Sequence, residues 1–73
     1  MEYYARFSII DERYGLMGVE DATFEADDME ELKECFEEFY DTHDTKIITH
    51  LLDELEDEEG NEIDQEPFLK MEG

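Results

Sequence analysis

Six carboxylates, Glu30, Glu31, Glu34, Glu37, Glu38 and Asp41, crowd into twelve residues of the sequence DMEELKECFEEFYD, with Lys33 the one base among them. Spread along a helix, Glu30, Glu34 and either Glu37 or Glu38 recur about every 6 Å of axis, from a rise of ~1.5 Å per residue. On an extended strand, alternate acids such as Glu54, Glu56 and Glu58 would lie ~6.6–6.8 Å apart. Phosphates advance ~3.4 Å of axis per nucleotide along a winding DNA strand, so the path between neighbours is of similar length. The chemistry such a row offers is therefore recognition: carboxylates held on a rigid element can take the cation sites of a groove built for phosphates. A solvated, salt-adapted surface is the simpler account of an acid excess with few lysines. It leaves the density of Phe, Tyr, Ile and Met unexplained, and the mimic reading is preferred on that ground.

Other chemistries find little support. Paired carboxylates are too numerous for any one pair to stand out as a general acid and base. There is no Gly-rich phosphate loop and no Cys/His set at zinc spacing. His43 and His50 sit seven apart, on an expected loop and strand, and read as ordinary surface or core-edge residues. The acids around Gly60 fail the test for a calcium loop: with Gly60 at the sixth position, the first ligand position falls on Leu55. The expectation is a protein that is not an enzyme and holds no cofactor and no built metal site.

The row must be positioned by a folded element, and residues 28–41 supply one. Met29, Leu32, Phe36, Phe39 and Tyr40 recur at helical spacing as one apolar stripe, with Cys35 on its border. Asp27 or Asp28 can cap the start, since Asp28 with Glu31 fits a capping box. The acids continue into the last turn, where the helix dipole disfavours them. Upstream, Tyr3, Ala5, Phe7 and Ile9 alternate with Tyr4, Arg6, Ser8 and Ile10 as a strand of high β-propensity. After a polar turn at 11–13, residues 14–20 read as a second strand in which Gly15 or Gly18 can mark a bulge. Phe24 precedes the helix caps, placed to staple onto the first turns. Residues 46–55 are apolar and β-branched at first and read as a third strand, although Ile48, Leu51, Leu52 and Leu55 also fit helical spacing. From residue 53 to 66, nine of fourteen residues are acidic. A turn at 58–61 with Gly60 at positive φ is expected there, and Ile63, Phe68 and Leu69 could add a fourth, edge strand.

These elements predict a small α+β fold, an antiparallel sheet in strand–strand–helix–strand order with one helix packed across it. Residues 1–55 form the single domain, and residues 56–73 an acidic hairpin or partly ordered tail. One helix covers one sheet face, so a homodimer is expected to shield the other, with Tyr3, Tyr4, Phe7, Ile9 and Ile10 on the sheet.

Composition narrows the partners. Twenty-five acids against five bases give a net charge of −20, while five Phe and four Tyr provide a core too aromatic for a disordered acidic tract. Nucleic acid and anionic membranes would be repelled; a basic, nucleic-acid-binding protein is the favoured partner. One cysteine, no basic-then-apolar leader and no membrane-length apolar run fit a cytoplasmic protein.

Phe36-Glu37-x-x-Tyr40, followed by Ile47-Ile48 and Leu52-Asp53, resembles the short, dimeric uracil-DNA glycosylase inhibitors of bacteriophages over roughly 20 residues. The resemblance implies a protein that blocks the DNA-binding cleft of a host bacterial repair enzyme. It also implies that Phe36 and Tyr40 line an apolar pocket gripping the leucine the enzyme pushes into the minor groove, and that Glu37 replaces a phosphate. Glu20 is the nearest candidate for the family's acidic strand residue. The N-terminal hairpin does not follow the family residue by residue, the helix is longer, and the acidic segment after Leu55 has no counterpart. Two other readings use the same charge: an acidic adaptor or transcription modulator docking a basic partner away from any DNA cleft, and a salt-adapted domain.

Nine acids and one lysine between residues 27 and 44 repel one another at close range. Screening within a Debye length of ~8 Å should relieve that repulsion. Added salt should therefore raise the urea midpoint at neutral pH; an unchanged or lower midpoint would mean the acids are paired.

Overall fold

The computed structural model describes residues 1–69, and its central strand is the alternating N-terminal segment, β1 (Glu2–Asp11). Tyr3, Ala5 and Phe7 are buried on one face, while Tyr4 and Arg6 are exposed on the other, as the two-residue period of a strand requires. β2 (Gly15–Glu25) and β3 (Ile48–Asp57) flank β1, both antiparallel, in the order β2-β1-β3. α1 (Met29–His43) lies across one face of this sheet. The fold is the expected small α+β arrangement of a three-stranded antiparallel sheet and one helix.

β2 reaches five residues beyond its expected end at 20. Ala22 and Phe24 pair with Ala5 and Tyr3 and turn to the helix side, so the strand continues past the residue expected to staple the helix. Phe24 does meet the helix, but from the strand, with its ring 4.6 Å from that of Phe36. Gly15, at φ +85°, closes the first hairpin opposite Asp11. The register slips between Ile9 and Ile10, which pair with Gly18 and Leu16 and leave Met17 as the extra residue of a bulge. A second slip, between Arg6 and Phe7, leaves Asp53 unpaired on β3, where it accepts from the Ser8 hydroxyl.

α1 begins as its sequence requires. The Asp28 carboxylate accepts the Glu31 N–H at 2.8 Å. Glu31 reaches back to the N–H of Asp27 at 3.3 Å, one residue earlier than a standard capping box. Of the apolar stripe, Leu32, Phe36, Phe39 and Tyr40 are buried, whereas Met29 in the first turn is 47% exposed.

No fourth strand forms among the described residues. Asp57 N–H donates to Asn61 O and Gly60, at φ +85°, completes the turn, but pairing then amounts to one isolated bridge between Glu56 and Glu62. Pro67 instead enters a 3₁₀ turn, Glu66–Phe68, which sets the Phe68 ring 5.1 Å from Phe36. The Tyr40 hydroxyl donates to Phe68 O at 2.8 Å. Phe68 is 2% exposed and belongs to the same core as Phe7, so residues 56–69 pack onto the body formed by residues 1–55; the expected tail's last residues, 70–73, lie outside the described region.

Two acids are held by the turns. Hydrogen bonds from the Arg13 guanidinium and backbone keep the Asp11 carboxyl below its ordinary range. The Asn61 N–H, with that of Glu59, does the same for Asp57.

The strand edges differ. β3 is covered by Thr45 N–H on Ile48 O, Asp44 on the His50 N–H, Gln65 on Asp53 O and Ile63 N–H on Leu55 O. Along β2, among the described residues, the one hydrogen bond reaching the outer edge is a long contact of 3.8 Å from the Cys35 thiol to Glu25 O.

Because Phe68 fills the end of the core, Phe68→Ala should lower unfolding free energy by about 3 kcal/mol or more, the usual cost of removing a buried phenyl ring. A urea melt checks this, and a loss under about 1 kcal/mol, within the range of surface substitutions, would mean the segment does not close the core.

Candidate protein-binding surface

The helix that supplies four core side chains on one side carries the acidic array on the other. Glu30, Glu31, Glu34, Glu37, Glu38 and Asp41 are all exposed. Their spacing sorts them into two groups. Glu30, Glu34, Glu37 and Asp41, at steps of four, three and four, share one stripe about 16 Å long. Glu31 and Glu38 lie toward β2, beside Cys35. Burial raises the Cys35 thiol pKa, and the fields of Glu31, Glu38 and Glu34 raise it further. Among the described residues none of the six acids forms an ion pair; Arg6, Arg13 and His50 hold the pairs that exist. Glu31 alone of the six has its carboxylate engaged by the chain, at the helix cap.

One edge of the stripe borders a cleft of about 550 Å³ between α1 and the 66–69 segment. Phe36, Tyr40, Pro67, Phe68 and Leu69 make it apolar, and Glu37, Asp41, Asp44 and Glu66 stand among them as acids, with Lys33 the one base. The expected pocket residues Phe36 and Tyr40 thus reach this cleft, but chiefly as core: they are 1% and 8% exposed, and Phe68 of the same chain lies against them. Burial pushes the Tyr40 hydroxyl pKa up to about 12, so it remains a donor. Leu69, 47% exposed, gives the cleft its accessible apolar lip. Phe68 and Leu69 were legible only as candidates for an edge strand; Pro67 was the sign that the segment would turn back instead.

Glu20 does not join the acidic array. It lies on the helix side of the sheet, where its carboxylate meets Nε2 of the buried His50 at 3.0 Å. Asp44, the C-cap of α1, meets Nδ1 of the same ring at 2.7 Å and accepts the His50 backbone N–H at 3.0 Å. His50 thereby fastens β2, the end of α1 and β3 together. His43 stacks on Phe39, ring centroids 4.3 Å apart, with Nδ1 3.0 Å from Phe39 O. Neither imidazole points into the cleft, and no group of three His, Cys, Asp or Glu among the described residues could hold a metal ion.

The field at Cys35 offers a probe of the array. Alkylation at neutral pH should be slower than that of a free thiol, because only the thiolate reacts. Salt and Glu38→Gln should each accelerate it; insensitivity to both would show that the acids are not clustered around Sγ.

Among the described residues, no helix is long and apolar enough to cross a membrane. Set against family models, curated proteins and solved structures, the chain matches none of them.

Proposed function

We propose that this chain is an acidic DNA mimic that occupies the DNA-binding cleft of a host nucleic-acid-binding protein in the bacterial cytoplasm, and that its target in phage infection is a uracil-DNA glycosylase. The observation that carries the reading is the Glu30–Glu34–Glu37–Asp41 stripe. It sets four exposed carboxylates on one rigid helix, free of ion pairs among the described residues, beside an apolar cleft. Charge of this kind steers a basic partner and sets the association rate, while a desolvated apolar contact sets the residence time. The Phe36-Glu37-x-x-Tyr40 resemblance supplies the glycosylase as the specific target. The protein works by binding and needs no catalytic group of its own.

Uracil excision by a purified bacterial glycosylase is the direct assay, and inhibition should be relieved by excess duplex DNA. Glu34→Gln, Glu37→Gln and Asp41→Asn together should slow association and flatten its salt dependence. Leu69→Ser should act mainly on the dissociation rate, by up to about 2 kcal/mol if the lip is a hot spot. Phe36→Ala is a poor probe, because truncating a buried ring would disturb the fold itself. If a large excess of the protein leaves excision untouched, the glycosylase assignment is wrong. The mimic reading would then require another DNA-binding protein that is captured by the chain and released by duplex DNA; capture that DNA does not reverse would favour an adaptor.

A further inference from the structure

Among the described residues, β2 is the sheet edge left open, and its register fixes which backbone groups that edge presents. Ala26 and Met1 form a hydrogen-bonded pair: the Ala26 N–H donates to Met1 O at 3.0 Å, and the Met1 amino group to Ala26 O at 3.2 Å. Antiparallel partners alternate between pairs that exchange both bonds and pairs whose N–H and C=O point away. The register runs unbroken from Glu2–Glu25 to Ile9–Gly18, so Glu25, Thr23, Asp21 and Val19 aim their backbone groups outward. Among the described residues, the contact these groups receive is the long one from the Cys35 thiol to Glu25 O. The row from Val19 to Glu25 holds no Pro and no Lys, and the bulge at Met17 lies beyond its end.

The side chains along this edge differ by face. Val19, Asp21, Thr23 and Glu25 stand exposed on the face away from α1, with Glu2 across from Glu25 and Arg6 held between Asp21 and Glu54. Tyr3 and Phe7, expected from the sequence to need cover on an open sheet, are instead buried toward the helix. On the helix side Ala22 and Phe24 are partly buried, because the packed layer ends at β2, and Glu20 is bonded to His50. Glu31 and Glu38 of α1 stand over that side, around Cys35. A strand laid along β2 would meet carboxylates on the open face and a half-covered apolar step on the helix side.

The same charges choose the occupant. A second copy would bring its own net charge of −20 against them, and nucleic acid its phosphates. We propose that β2 is a docking edge for an extended, basic segment of a partner protein. The segment adds antiparallel as a fourth strand, with basic side chains beside Asp21 and Glu25 and apolar ones against Ala22 and Phe24. In an antiparallel pair, the residues opposite Asp21 and Glu25 share their face and point their own N–H groups at β2. The main-chain donors therefore come from the basic residues of the segment. The proposal stands apart from the glycosylase assignment, since no target enzyme enters it and no β2 residue lines the cleft beside α1.

The probe is a capped peptide of alternating lysine and valine, about eight residues long, enough to span Val19–Glu25. Amide exchange on the full chain should find the Asp21, Thr23 and Glu25 amides open in the free protein and protected when the peptide is added. Those of Ala22 and Phe24, which face β1, should be protected throughout. Methylating the lysine backbone nitrogens keeps every charge and should weaken binding by at least about tenfold, whereas methylating the valine nitrogens should not. Thr23→Pro removes an outward N–H without breaking a bond to β1, and should weaken the unmodified peptide by at least about tenfold; circular dichroism checks the fold. Equal affinity for the two methylated peptides, or a bound peptide that leaves these amides open, would reduce the contact to charge attraction and overturn the proposal. So would undiminished affinity in a folded Thr23→Pro variant. Protection in the free chain that is lost on dilution would mean that a second copy holds the edge, and would overturn it as well.

Discussion

The Phe7 ring is the fixed point of the molecule. It is fully buried on the central strand, stacked 4.5 Å from Phe39, with Phe36, Tyr40 and His50 at 5.9–6.1 Å around it. A 73-residue chain has little interior, and one with a net charge of −20 carries self-repulsion into every compact state. Phenylalanine rings answer both difficulties, because each removes a large apolar area from water without bringing a polar atom that needs a partner, while the Tyr40 hydroxyl and the His50 ring find theirs within the chain. The cluster draws on β1, β2, α1, β3 and, through Phe68, the 3₁₀ turn. All the regular elements therefore meet in one core.

That economy explains the distribution of charge. Sheet and helix share one buried layer, so acids can stand only on the outside of α1, on the open sheet face, in the turns, or in a satisfied buried pair. Asp44 takes the last option through the buried His50, whose other ring nitrogen meets the half-exposed Glu20 at the sheet. Asp11 takes it through Arg13 and the turn backbone. The acids that remain, most of them on α1 and in residues 53–66, find few cations because the chain has few. Their exposure follows from composition, while their alignment follows from the helix.

Much of this was legible in the sequence. Alternation at 3–7 and the stripe from Leu32 to Tyr40 each settled an element and its buried face, because a strand and a helix impose periods that few other residues could blur. Asp28 fixed the start of α1 by the same local logic. The end of β2 was hidden, since Glu20 faces inward and bonds a histidine thirty residues away, which breaks the polar–apolar alternation. The fate of Phe68 was hidden as well. Its place depends on a turn at Gly60, a bend at Pro67 and a hydroxyl on Tyr40, three features brought together only by the folded chain. The six acids were readable as exposed, but not their division between a stripe along the cleft and a group around Cys35.

The unequal edges of the sheet bear on a different question, how large an assembly this chain can build by strand pairing. An open-ended ribbon needs two competent edges on every subunit, one to receive and one to offer. Here β3 is occupied by the segments around Asp44 and Ile63, which close much of its ladder within the chain. Among the described residues, β2 is the edge that remains as an acceptor. Pairing through β2 therefore joins two molecules and leaves a third, among the described residues, only the largely covered β3 edge, so the sheet behaves as a chain terminator. For a strand-rich protein expressed at high level, that asymmetry limits sheet-mediated growth to a pair.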